Sequence, residues 1–251
     1  MIRIDHVNKT YHGSDVKAVS DLNFKVEDGE IVGFIGPNGA GKTTTIKMLT
    51  GILKPDSGSV QIDAYDMLQQ PLEAKRVIGY IADSPDMFLR LTGLEFIQFM
   101  ADIYQVPKED RQERITELAT RFDILHALDK PMQSYSHGMR QKMMVTAALV
   151  HNPKVWILDE PLTGLDPKSA FALKQMMREH ADAGNSVLFS THVLEVAEKL
   201  CDRVVIITHG TVLFEGPLSE LYDAYPNLDM EQIFLEITKD DTVLEPGEGV
   251  N

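Results

Sequence analysis

Gly36-Pro37-Asn38-Gly39-Ala40-Gly41-Lys42-Thr43-Thr44 follows the apolar run Ile31-Val32-Gly33-Phe34-Ile35 and opens into Thr45-Ile46-Lys47-Met48-Leu49. The short apolar run reads as a strand and the segment after the loop as a helix. Strand, glycine-rich loop and helix are the setting in which G-x-x-x-x-G-K-[ST] makes a phosphate cradle. The glycines let backbone N–H groups turn inward around anionic oxygens. Lys42 supplies a point charge for the β/γ-phosphates, and the Thr43 hydroxyl can hold Mg²⁺. The helix beginning there presents its positive dipole end to the same phosphates. The stretch predicts a nucleoside triphosphate site.

Working outward, Ile2, Ile4 and Val7 nearly alternate, as do Leu22, Phe24 and Val26, so both segments read as antiparallel strands with one covered face. The apolar runs 31–35, 155–158, 187–189 and 204–207 are too short for helices and read as strands buried on both faces of a parallel sheet. Helical segments at about 42–51, 167–182 and 192–200 separate them. The expected fold is α/β: a P-loop core with an antiparallel β subdomain. Between about 84 and 150 the pattern changes to three helical segments, 93–104, 110–125 and 137–150, with no strand among them. This reads as an α-helical subdomain inserted into the core. After 211 come a short strand and two short helices, and the acidic tail 239–251 reads as disordered.

The 251 residues suffice for a full hydrophobic core. A formal net charge of −14 disfavours a general grip on nucleic acid or an anionic membrane surface. The single cysteine, Cys201, excludes an internal disulfide and fits a reducing cytosol. No secretory signal is visible, and no run approaches 18 uncharged apolar residues, so no membrane span is expected.

Val155-Trp156-Ile157-Leu158-Asp159-Glu160 reads as a buried strand ending in two carboxylates. With this strand expected beside the phosphate-loop strand, Asp159 can reach the Mg²⁺ shell. Glu160 points one residue further, to where a carboxylate can accept the proton of an attacking water. Ser134-Tyr135-Ser136-His137-Gly138-Met139 precedes a helical run; Ser136 suits an N-cap and Gly138 a close backbone approach.

Taken together, these motifs resemble the ABC ATPase family, the nucleotide-binding subunits of ATP-binding-cassette transporters. Tyr135-Ser136-His137-Gly138-Met139 is similar to the signature usually written L-S-G-G-Q. Asp159-Glu160-Pro161, the D-loop pattern Gly164-Leu165-Asp166 and the switch histidine His192 in Phe189-Ser190-Thr191-His192 follow in the family's order. Tyr11 matches the aromatic that stacks on adenine, although an aromatic after a first strand can also simply pack. The resemblance covers about residues 1–225, leaving 226–251 as a short C-terminal extension.

In that family two cassettes close head-to-tail over two ATPs. The resemblance therefore implies that Gly36, Asn38, Gly39, Gly41, Lys42, Thr43 and Thr44 bind phosphates in cis. Ser136 and Gly138 would meet the γ-phosphate in trans, Asp166 would cross the interface, and His192 would hold Glu160 and the water. It further implies Mg²⁺, a transmembrane permease on a separate chain, a second cassette (the same or a different chain) and a place on the cytoplasmic face of the membrane. Phe88 and Leu91 would either contact the permease or belong to the core.

Two departures narrow the subfamily. Where the family usually has Gln after the strand 78–81, this chain has Ala82-Asp83. Asp83 could ligate Mg²⁺ or serve the loop that couples to the permease. In the signature, His137 replaces the first glycine and Met139 the glutamine. Both departures resemble exporter cassettes for antibiotics and lantibiotics, so an exporter ATPase is the leading expectation. A soluble cassette ATPase of DNA repair or translation is the alternative; its translation members carry two cassettes and its repair members a long coiled coil. A sensor that binds ATP without hydrolysing it is the third reading, and intact Glu160 and His192 oppose it.

Overall fold

The computed structural model describes residues 1–13, 15–82 and 88–239. The antiparallel pair β1 (Ile2–Thr10) and β2 (Lys17–Val26) sets Ile4 opposite Phe24. β3 (Ile31–Ile35) and α1 (Lys42–Leu49) flank the glycine-rich loop. β4 (Ser57–Ile62) returns to pair with β1, and β5 (Tyr65–Asp66) completes a four-stranded sheet in the order β2-β1-β4-β5. The near-alternation of Ile2, Ile4 and Val7 buries one face of that sheet, as expected of a half-covered antiparallel layer.

After α2 (Pro71–Arg76) and β6 (Ile78–Ile81) come the helices α3 (Gly93–Ile103), α4 (Lys108–Arg121) and α5 (His137–Leu149). Thr92 and Glu95 close a capping box at the start of α3. The helix expected over 110–125 begins two residues earlier, behind the N-cap Pro107, and ends at Arg121, where Asp123 turns to φ 57°. Among the described residues no strand interrupts this helical stretch; Thr92 and Pro131 form only an isolated bridge.

β7 (Val155–Leu158), α6 (Pro167–Asp182), β8 (Ser186–Thr191), α7 (Leu194–Leu200), β9 (Arg203–Thr208) and β10 (Thr211–Pro217) complete a mixed sheet in the order β10-β9-β3-β8-β7-β6. All its neighbouring strands are parallel except the β9–β10 pair. This order corrects one expectation. β7 is not adjacent to β3; β8 lies between them. The crossover through α6 carries the chain back toward β3, and sequence pattern alone does not fix which strand that crossover brings next to it.

Period-2 alternation sorts the sheet's side chains into layers. Ile31, Trp156, Leu158, Val187 and Phe189 face α3, α4, α5 and α6. Val32, Phe34, Ile157, Leu188 and Val205 face α1 and the antiparallel sheet. Ile35, Val204 and Ile206 meet α7, α8 (Leu218–Ala224) and α9 (Met230–Thr238). Each such fully buried side chain contributes about 1.5–3 kcal/mol of burial. The helical stretch shares one apolar cluster with the sheet, which fixes its position relative to the loop after β3. The expected disordered tail falls, apart from Lys239, outside the described residues.

Candidate functional site

The carboxyl ends of β3 and β7 open onto one cleft of about 370 Å³. Its walls are Tyr11, Ala18, the loop from Pro37 to Gly41, the start of α1 from Lys42 to Thr44, and the carboxylates Asp159 and Glu160. Parallel sheets bind ligands at this end, where helix N-termini and strand ends converge.

Gly36 is buried beneath the cleft. A Cβ there would overlap the backbone carbonyl oxygen of Ile207 on β9, so close packing against that strand requires the glycine. Asn38 and Gly39 are exposed at the loop's tip, and Gly41 N-caps α1 with φ 104°. Lys42 is buried, and its ammonium donates to the carbonyls of Gly36 at 2.6 Å and Pro37 at 3.1 Å. Burial lowers its pKa from the usual lysine value, against the opposing pull of the Glu160 and Asp159 carboxylates. The Thr43 side chain is exposed to the cleft. The hydroxyls of Thr44 and Tyr11 lie 3.1 Å apart, which ties the aromatic at the end of β1 to α1.

Across the cleft, Asp159 is 2% exposed, and its Oδ1 accepts a 2.6 Å hydrogen bond from the Ser190 hydroxyl. The same Ser190 oxygen accepts from the Glu160 backbone N–H at 2.9 Å. Ser190 stands near the end of β8, so the strand between β3 and β7 orients the Asp159 carboxylate and anchors the Glu160 backbone. Glu160 holds a left-handed backbone, φ 48°, which is uncommon for a residue with a side chain and recurs at functional sites. Its Oε2 lies 3.0 Å from Nδ1 of His192, whose ring is largely exposed. Ser190, within Phe189-Ser190-Thr191-His192, is a functional residue that the motifs do not single out. A hydroxyl directly after the apolar run Val187-Leu188-Phe189, two residues before His192, is the signal that could have found it.

Ser136, Gly138 and Asp166 do not line this cleft. Ser136 N-caps α5, accepting from the Met139 N–H at 3.3 Å. Asp166 N-caps α6 and makes a 2.7 Å ion pair with Lys142 on α5. The Lys142 ammonium, together with the Ser169 N–H and hydroxyl, holds the Asp166 carboxyl far below the usual range. Asp83 lies outside the described residues. Phe88 is exposed and stacks on Phe96 with ring centres 5.2 Å apart, while Leu91 packs against the large apolar cluster.

The donor set suits a hard divalent cation. Thr43 and Asp159 offer oxygen ligands at the cleft, and Ser190 fixes the orientation of the Asp159 carboxylate. No group of three or more His, Cys, Asp or Glu side chains among the described residues is arranged to hold a metal ion.

A family model described as "ABC transporter" matches residues 19–163. The chain is 35% identical over 221 residues to the ABC transporter ATP-binding protein NatA of Bacillus subtilis, covering 88% of this chain and 90% of that one. It is 37% identical over 213 residues to the daunorubicin/doxorubicin resistance ATP-binding protein DrrA of Streptomyces peucetius, covering 85% of this chain and 64% of the relative. Among solved structures it superposes on an ATP-binding subunit of an ABC transporter with TM-score 0.90 and 31% identity, covering 95% of this chain and 99% of that one. It also superposes on a dimeric post-hydrolysis state of an ATP-binding cassette bound to ADP and Pi, with TM-score 0.79, 25% identity, and 87% and 99% coverage.

Proposed function

From the premise that this chain belongs to the ABC transporter family of ATP-binding cassettes, and is thereby an ATPase, we propose that it energises an exporter whose membrane path is a separate permease chain. The observation that carries this reading is the convergence of Lys42 and Thr43 with Asp159 and Glu160 in one cleft, with His192 seated on Glu160. The likeness to DrrA, named for daunorubicin/doxorubicin resistance, supports export over import. No helix among the described residues is long and apolar enough to cross a membrane.

In this mechanism the loop from Gly36 to Thr44 cradles the phosphates of ATP, and Lys42 exchanges the Gly36 and Pro37 carbonyls for phosphate oxygens. Thr43 and Asp159 would hold Mg²⁺, which would supply positive charge against the charge developing on the phosphates. Glu160 accepts a proton from a water as its oxygen bonds to the γ-phosphorus and the bond to the β-phosphate bridge oxygen breaks. His192 holds the Glu160 carboxylate in place. Tyr11 stacks on the adenine. Ser136 and Gly138 complete the γ-phosphate contacts of the facing cassette, so turnover requires two cassettes, of this chain or of this chain and another. Closure drives the permease at the cytoplasmic face of the membrane, and hydrolysis resets it.

The test has two parts. The purified chain, with and without membranes of its native host, is assayed for Mg²⁺-dependent phosphate release from ATP, and the membrane chain that co-purifies with it is identified. Phosphate release and a polytopic partner support the reading. A nucleic acid or ribosome as the stable partner favours the alternative, a soluble cassette.

A further inference from the structure

The helix that Ser136 caps does more than present its first turn. Three contacts join one face of α5 to the segment following Glu160. At the first, Gly138 approaches the Gly164 backbone so closely that a Cβ on residue 138 would stand 2.7 Å from the Gly164 carbonyl oxygen. The His137 ring lies against Gly164, and a Cβ on residue 164 would overlap it. At the second, the buried Gln141 amide nitrogen donates to the Pro161 carbonyl at 3.5 Å. At the third, the Lys142 ammonium meets Asp166 Oδ2 at 2.7 Å, with the lysine side chain only 13% exposed. Residues 138, 141 and 142 fall at the i, i+3, i+4 spacing that shares a helix face.

Each contact fixes something different. The glycine pair sets the distance between the two backbones. His137, where the resemblance led to an expected glycine, fills the space over Gly164 that a smaller residue would leave open. Lys142 sets the register along the loop, because Asp166 is itself fixed as the cap of α6 through Ser169, at 3.0 Å to its N–H and 2.8 Å to its hydroxyl. A half-buried ion pair with one partner held in a cap has little freedom to slide, unlike an exposed surface pair.

We infer that Lys142 is a positioning residue that locks the 136–138 turn and the 164–166 loop into one rigid unit, so that both meet a facing cassette in a single register. The inference rests on the reading that residues 136–138 serve a nucleotide held by the other cassette. It assigns Lys142 no contact with that nucleotide. Loss of the lock therefore leaves ATP binding to the isolated chain untouched and weakens only the ATP-dependent pairing of cassettes.

The experiment uses the full chain in a Glu160→Gln background, where hydrolysis does not dissipate the closed state. ATP affinity is measured by calorimetry below the dimerising concentration, and dimerisation at saturating ATP by sedimentation. Lys142→Met is expected to keep the ATP Kd within twofold of the parent and to raise the dimer dissociation constant tenfold or more. Lys142→Arg restores dimerisation to within threefold, since it keeps the charge that Asp166 receives. Adding Asp166→Asn to Lys142→Met causes no further loss if the two residues act as a pair. Should Lys142→Met fold poorly, Lys142→Gln takes its place. Dimerisation of the Lys142 variant at parental strength, or additive losses in the double variant, overturns the inference. A parent that binds ATP without dimerising overturns the two-cassette reading and this inference with it.

Discussion

Nδ1 of His192 at the end of β8 lies 3.0 Å from Oε2 of Glu160 at the end of β7. The two neighbouring strands thus deliver a carboxylate and an imidazole to the same point above the phosphate loop. Glu160→Gln is nearly isosteric and removes the proposed proton acceptor. It should lower phosphate release about 10²–10⁴-fold, the usual worth of general base catalysis, with ATP affinity retained. His192→Ala should also reduce turnover while leaving ATP binding near wild type. Steady-state phosphate release and calorimetric ATP titration check both. Wild-type turnover by Glu160→Gln would remove Glu160 as the base.

Ser190 spans the other side of the same pair. Its hydroxyl donates to Asp159 and accepts from the Glu160 backbone N–H. Ser190→Ala leaves a buried carboxylate and a backbone N–H without this partner, at about 1–3 kcal/mol. The expected outcome is a lower kcat and a higher Mg²⁺ requirement with a small change in ATP Kd. An unchanged Mg²⁺ dependence in a stopped assay would show that Ser190 only packs.

Gly36 is fixed by its neighbour, not by its ligand. Gly36→Ala drives a methyl into the Ile207 carbonyl, so the loop or β9 must shift at a cost of about 1–3 kcal/mol. ATP affinity should fall at least tenfold, whereas substitution at the exposed loop-tip position Asn38 should change packing little. Equilibrium ATP titration and thermal unfolding of the two variants compare them directly.

The buried His180 and the half-buried His151 give the fold a pH dependence. His180 stacks on Trp156 at 4.2 Å and His151 on Tyr104 at 3.6 Å, and burial lowers both pKa values to about 4. Each ring stays neutral in the folded chain down to that value, while in the unfolded chain it takes up a proton below about 6.5. The unfolded state therefore binds more protons between about pH 6.5 and 4, and acidification across that window favours it. At pH 5 the loss is about 2 kcal/mol for each histidine relative to neutral pH. Denaturant midpoints at pH 7 and 5 should differ accordingly, and His180→Phe should flatten the difference.

What could be read from the sequence was what depends on neighbours along the chain. The phosphate loop, the four buried strand runs and the helix Pro167–Asp182 follow from local spacing, capping and apolar period, and all appear where expected. The position of β8 between β3 and β7 did not, because strand order is set by crossovers and not by any residue's own preference. Ser190's polarity after the run 187–189 is visible locally, but its partners are not, because they come from the end of the neighbouring strand β7. Lys142 reads as an ordinary helical lysine until α6 brings Asp166 against it.

Strand order has a further consequence. Adjacent strands lie about 4.8 Å apart, so a single intervening strand holds the tips of β3 and β7 roughly 10 Å from each other. That span accommodates a phosphate group together with a hydrated cation, and neither strand could set it alone. The sheet acts as a gauge: β8 lines no part of the cleft wall yet sets its width. Ser190 apart, side chains along β8 can vary provided they stay buried, but losing or doubling the strand would change the spacing of the two halves of the site by a fixed step.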